Sequence, residues 1–166
     1  MKRRKFLILG SVFGLCTYAQ AREISDFEKA FKKVESTLSV VQEHMFPEKS
    51  KLPSAKSMNA IQFLFETMSH KSFDKDIRVF VLEGAKELEI REKVRFSILP
   101  EKEKEKALRE YEKTNYGSSW LSHMMTLTME GLFSDPIYGS NVKERGWESL
   151  HVHGGHPGPK TRYMES

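Results

Sequence analysis

The sequence predicts an all-α fold, with one domain of about four or five helices and an irregular, extended C-terminal segment. Apolar residues recur at spacings of three and four along most of the chain, which is the period of an amphipathic helix. No stretch alternates between apolar and polar residues for the length of a convincing strand, and the sequence has no internal repeat. About 145 residues remain once a predicted signal peptide is removed, which is an ordinary size for one domain.

Residues 1–21 are predicted to be a cleaved secretory signal peptide. A basic start, MKRRK, precedes an uncharged and mostly apolar run at positions 6–18, which is too short to span a bilayer comfortably. Ala19 and Ala21 then form a small-x-small cleavage site. The mature chain is therefore expected in the periplasm.

The basic start also fits the core of a twin-arginine signal, through Arg3, Arg4, Phe6 and Leu7. That route carries folded proteins, so the twin-arginine translocase is an expected partner during export. The alternative is a general secretory signal that happens to contain two arginines.

Removal of the signal peptide changes the charge balance. The full chain has 27 basic and 23 acidic residues, but four basic and no acidic residues lie at positions 1–21, so the mature chain is neutral. A neutral chain offers no electrostatic reason to expect a nucleic-acid partner, and membrane contact is expected only through a complex. Cys16, the only cysteine, lies in the signal, which excludes disulfides, iron–sulfur clusters, attached haem and a thiol nucleophile from the mature chain.

Caps and apolar stripes mark the first two predicted helices. Ser25 and Glu28 form a capping-box pattern at the start of the first helix, which ends before Pro47. Ser54 is suited to cap the second helix. The predicted core stripes are Phe27, Phe31, Val34, Leu38 and Val41 in the first helix, and Met58, Ile61, Leu64, Phe65 and Met68 in the second.

Three further helices complete the predicted helical domain, residues 22–130. The third begins at about Asp76, and the fourth, EKEKEKALREYEK, is strongly charged. The fifth, from Trp120, has so wide an apolar stripe that we expect it to be central and mostly buried. Gly131 is placed to end it in the left-handed conformation, and residues 131–166 then form a loop and an extended tail of the same domain.

The segment EGLFSDPIYGSNVKERGW, residues 130–147, is predicted to be a structured loop. Asp135 and Pro136 are suited to start a turn, while Gly139 and Asn141 tolerate a positive φ. Its large aromatic rings are suited either to anchor a protein interface or to pack into the domain's own core, and the sequence favours neither. These rings belong to Phe133, Tyr138 and Trp147.

No catalytic residue is predicted. Glu130, Asp135 and Glu144 flank the loop and His123 precedes it, but their spacing fixes no geometry, and no nucleophile with an adjacent base accompanies them. Glu130, near a helix end, is better explained as a ligand for backbone amides of the loop.

Three histidines in LHVHGGHPGP form the candidate metal site. His151, His153 and His156 would suit zinc, copper or nickel, but their spacing is not a known closed zinc pattern and no nearby carboxylate or thiol completes four ligands. The alternative is a Gly- and Pro-rich tail that lies extended on another surface. We therefore assign no metal or cofactor to this chain.

EGLFSDPIYGSN followed by GW resembles the signature of the gluconate 2-dehydrogenase subunit 3 family, which reads EG-F-x-DP-x-YGGN and then GW. Ser140 stands where the family usually has a second Gly, and the His-rich tail also departs from the family pattern, so no role is carried over to the histidines. The matching residues are Glu130, Gly131, Phe133, Asp135, Pro136, Tyr138, Gly139, Asn141, Gly146 and Trp147.

The resemblance implies a small, non-catalytic, cofactor-free subunit that is exported by the twin-arginine route. Its expected partners are a large FAD-dependent sugar or sugar-acid dehydrogenase subunit and a cytochrome c subunit that carries haem c. The complex would lie in the periplasm, on the outer face of the inner membrane. Two alternatives remain: an independent periplasmic metal-binding protein or hydrolase that uses His151, His153 and His156, and a purely structural subunit whose complex is exported by another signal.

Overall fold

Six α-helices and four short 3-10 turns make up the secondary structure of residues 25–91 and 94–162, the part of the chain that this computed structural model describes. Helix α1 covers residues 25–45 of this part. The others are α2 (Ala60–Ser69), α3 (Lys75–Arg91), α4 (Glu101–Glu112), α5 (Asn115–Phe133) and α6 (Arg145–Ser149). The all-α prediction is confirmed, and the predicted signal peptide lies outside the described residues.

Helix α5 is the centre of the domain, because it packs against α2, α3 and α4. Trp120 of α5 is fully buried, and its indole Nε1 donates a hydrogen bond to the Val81 carbonyl of α3 at 3.0 Å. Gly84 makes this approach feasible, since a Cβ there would lie 2.0 Å from the Trp120 ring. Tyr111 of α4 donates to the Gly84 carbonyl at 3.2 Å, so three helices meet at one glycine.

The core consists of two apolar clusters. The larger cluster contains buried residues from α1, α2, α3, α4 and α5. It includes every residue of the apolar stripe predicted for the first helix. The smaller cluster lies near the C-terminal end of α5, and Phe133 and Val142 pack on it. Its buried members are Phe46, Ala55, Met58, Ala60 and Leu132. Residues 130–147 therefore have an apolar support of their own.

Two helix starts differ from the sequence prediction. The Ser54 hydroxyl caps a 3-10 turn, Lys56–Met58, by accepting from the Ser57 amide at 3.2 Å, and α2 begins after that turn. Helix α5 begins at Asn115, where the Thr114 hydroxyl accepts a hydrogen bond from the Gly117 amide.

None of the helices in the described part is long and apolar enough to cross a membrane.

Candidate functional site in residues 130–147

Asp135 builds the first turn of the segment. Its carboxylate accepts a hydrogen bond from the Ile137 amide at 3.0 Å and so caps the 3-10 turn Pro136–Tyr138. Pro136 occupies the first position of that turn, where its missing N–H costs nothing. Gly139 then ends the turn at φ 81°, in the region that favours glycine. The predicted turn start at Asp135 and the predicted positive φ of Gly139 are both confirmed.

Asn141 joins the end of α5 to the start of α6. It is fully buried at φ 47°, which confirms the predicted positive φ. Its side-chain Nδ2 donates to the Ser134 carbonyl at 2.9 Å, and its Oδ1 accepts from the Gly146 amide at 2.8 Å. The sequence interpretation identified the backbone conformation of Asn141 but missed this bridge, since neither bonding partner is marked by a local pattern.

Gly146 is required by close contact with the end of α5. A Cβ at this position would lie 2.0 Å from the Leu132 carbonyl oxygen and 2.7 Å from the Asn141 Oδ1. Any side chain would therefore push α6 away from α5 and stretch the Asn141 bridge. Ser140, which departs from the family pattern, is buried nearby, and its hydroxyl lies 2.7 Å from the Ser134 hydroxyl.

The three aromatic rings are each half-buried. Trp147 donates from its indole Nε1 to the Phe133 carbonyl at 2.7 Å, and a Cβ built on Gly154 would lie 2.4 Å from its ring. Phe133 packs on the smaller apolar cluster. Tyr138 lines a cleft of about 380 Å³ beside Phe63 and other α2 residues. Each ring therefore contacts its own domain and keeps part of its surface open to solvent.

Polar contacts from elsewhere in the chain hold the segment in place. Arg162 donates from Nε to the Ile137 carbonyl at 2.7 Å and from Nη1 to the Glu66 carboxylate at 3.1 Å. Asn59 donates to the Gly139 carbonyl at 3.1 Å. Arg145 donates to the Ser57 carbonyl at 3.0 Å. The sequence interpretation missed these clamps, because their partners lie between 25 and 96 positions away in the chain.

Gly131 does not end α5, so that prediction is wrong. The helix continues to Phe133, and Gly131 is buried within it. A Cβ on Gly131 would lie 3.2 Å from the Phe63 ring and 3.6 Å from the Ala60 Cα. Gly131 allows α5 to pack closely on α2. The helix ends at Phe133, and Ser134 after it has an extended backbone.

The predicted role of Glu130 as a ligand for loop amides is also wrong within the described residues. Glu130 is exposed on α5 and forms no hydrogen bond there with an amide of the loop. Partial removal of water from its carboxyl group by surrounding protein raises its pKa. His123 is occupied elsewhere, since its Nδ1 lies 2.9 Å from the Ser119 carbonyl oxygen and its ring meets Phe80 edge-on at 5.2 Å.

The three tail histidines lie exposed in the irregular segment that follows α6. His151 has a φ of 56°, and the peptide bond between His156 and Pro157 is cis. Across residues 25–91 and 94–162, no group of three or more His, Cys, Asp or Glu side chains is arranged to hold a metal ion. No observation in this part of the chain favours the metal-binding alternative.

Comparison with known proteins points to one family. The family model described as "Gluconate 2-dehydrogenase subunit 3" matches residues 32–155, a range that includes α2 to α6 and the whole of residues 130–147. No curated protein and no solved structure gives a significant match to the chain.

Proposed function

Because the chain belongs to the gluconate 2-dehydrogenase subunit 3 family, we propose that it is the non-catalytic small subunit of a periplasmic flavoprotein dehydrogenase complex. It binds the large subunit, which carries FAD and acts on a sugar or sugar acid, and it assists export of that subunit in the folded state. A cytochrome c with haem c is the third subunit, and it holds the complex at the outer face of the inner membrane.

The main support for this proposal is that polar side chains of residues 130–147 form hydrogen bonds within the segment itself. The Asp135 carboxylate, both polar atoms of the Asn141 side chain and the Trp147 indole N–H all bond to backbone groups of the segment itself. A general acid or base needs a polar atom within reach of the substrate. Residues 130–147 are therefore best explained as a rigid structural element that shapes a binding surface.

Binding to a folded partner is sufficient for the proposed export role. A protein that binds the native flavoprotein and not its unfolded chain stabilises it by about 2.7 kcal/mol at a free concentration one hundred times its Kd. The twin-arginine route accepts folded cargo, so FAD is inserted before export. The signal that would direct the pair includes Arg3 and Arg4, which lie outside the described residues.

Export of the flavoprotein tests the proposal. Deletion of this chain should leave the large subunit FAD-loaded in the cytoplasm, and Arg3→Lys with Arg4→Lys should do the same while the two subunits still co-purify. The measurement is dehydrogenase activity and flavin content in separated periplasmic and cytoplasmic fractions. An active periplasmic flavoprotein in the deletion strain would refute the export role.

A further inference from the structure

The outward side of α5 carries few charged groups, and the exposed Glu130 lies near its end. Positions 115–129 contain no Asp, Glu, Lys or Arg, although 30% of the residues in the chain are charged. The wide apolar stripe predicted a mostly buried helix, yet Met125 and Met129 are 38% and 44% exposed. The other exposed residues in this run are Asn115, Tyr116, Ser118, Ser119, Ser122, His123 and Thr126. Depletion of charge together with methionine enrichment is the composition of an interface centre.

A concave groove continues this face on the side of α4. It encloses about 480 Å³ between α1, α4 and α5. Its apolar lining comes from Met45, Leu108, Leu121 and Met125, and the rest comes from Ser118, Ser122, His44 and three charged residues of α4. An apolar groove between helices suits an inserted helix or loop, because the walls of the groove bury the apolar side chains of the insert.

The charged groups that line the groove are paired with one another, two carboxylates to one guanidinium. Arg109 bonds to Glu105 at 2.8 Å and to Glu112 at 3.2 Å. The His44 Nε2 lies 2.5 Å from the same Glu105 carboxylate. The groove residues therefore provide no excess of cations for nucleic acid or anionic lipid. The apolar part of the lining is complementary to an apolar protein segment.

We propose that this groove and the adjoining charge-poor face of α5 are the docking surface for the large flavoprotein subunit, which inserts an apolar helix or loop between α4 and α5. This inference rests on the proposed function and adds the location of the contact. Exposed methionines suit such a surface, because their unbranched side chains adapt to the shape of the insert. A second copy of this chain is the alternative occupant, and the experiment below distinguishes it from the flavoprotein.

The test places a charge in the groove of the full, affinity-tagged chain produced in its own host. Met125→Glu and Ser122→Arg each put a charge where the proposed insert lies. Ile90→Glu is the matched control, because Ile90 is 81% exposed on α3. We expect each groove variant to retain at least tenfold less flavin per small subunit after purification, and the control to stay within twofold of wild type. Circular dichroism and thermal unfolding of each chain exclude variants that fail to fold.

Three results would overturn the inference, and they are distinguishable. Retention of flavin within twofold by folded Met125→Glu and Ser122→Arg variants would reject the groove while the proposed function stands. Failure of the wild-type chain to retain any flavoprotein would reject the proposed function and the docking surface with it. A dimer of the isolated mature chain that Met125→Glu dissociates in sedimentation would identify a second copy as the occupant.

Discussion

Replacement of Asn141 by Ala should destabilise the domain far more than replacement of an exposed Asn by Ala would. The change removes two hydrogen bonds in the interior of the segment, to the Ser134 carbonyl and the Gly146 amide. These bonds are worth about 1 kcal/mol each, and the buried groups left without partners add about 1 kcal/mol. Alanine at φ 47° adds about 1 kcal/mol because its Cβ disfavours the left-handed region. The expected loss is about 4 kcal/mol of unfolding free energy.

Asn59 supplies a matched control within the same chain. It also adopts a left-handed conformation, at φ 56°, but it is exposed and makes a single side-chain hydrogen bond, to the Gly139 carbonyl. Asn59→Ala should therefore cost about 1–2 kcal/mol, mostly through its backbone.

Urea unfolding of the mature chain, followed by helical circular dichroism, measures both variants of this pair. We expect Asn141→Ala to be less stable than Asn59→Ala by about 2 kcal/mol. Equal losses within about 0.5 kcal/mol would refute the reasoning, because they would show that the buried bridge adds nothing beyond the conformation of the residue.

Three further predictions concern contacts of the same region. Gly146→Ala should cost about 3 kcal/mol in urea unfolding, because its Cβ would lie 2.0 Å from the Leu132 carbonyl oxygen, while Gly155→Ala, with no atom within 4 Å, should stay within about 0.5 kcal/mol of wild type. Equal effects would contradict the close-contact argument. Hydrogen bonds from His44 and, to a smaller extent, from Arg109 lower the pKa of Glu105 in the folded chain. The charged Glu105 carboxylate therefore stabilises the fold above its unfolded pKa of about 4.3, and this stabilisation is lost as the pH falls through the lower folded pKa. The urea midpoint of Glu105→Gln should therefore lie below that of wild type near neutral pH and converge with it in acid; a gap independent of pH would contradict this. Arg162→Ala should reduce global stability by only about 1 kcal/mol but speed hydrogen exchange of the Gly139 amide, since the clamp on the Pro136–Tyr138 turn is lost; unchanged exchange would argue against the clamp.

Local patterns in the sequence were enough to predict the helices and the turns. The stripe of the first helix is buried as predicted, because a spacing of three and four places side chains on one side of a helix whatever the rest of the chain does. Asp135 caps its turn through an amide two residues away. Gly139 and Asn141 adopt a positive φ, which these residue types tolerate better than most. Each of these features depends on near neighbours alone.

The exposure of α5 needed the tertiary structure. A helix with a long run of uncharged residues is compatible with complete burial and with an uncovered interface, and only the placement of the neighbouring helices separates the two. Helices α2, α3 and α4 cover one side of α5, and the side with Met125 and Met129 stays open. The sequence contained the signal, a run of fifteen residues without charge, but its periodicity could not show how many neighbours the helix has.

The sequence by itself determined the fold class, the positions of the helices and the family, because these depend on periodicity, turn chemistry and one distinctive segment. The tertiary structure decided what individual residues in that segment do. Gly131 and Gly146 are close-contact positions, Asn141 is a bridge, and Arg162 reaches Glu66 across 96 positions. Such roles arise from contacts between parts of the chain that folding brings together, and no pattern among neighbouring residues encodes which partner each will meet.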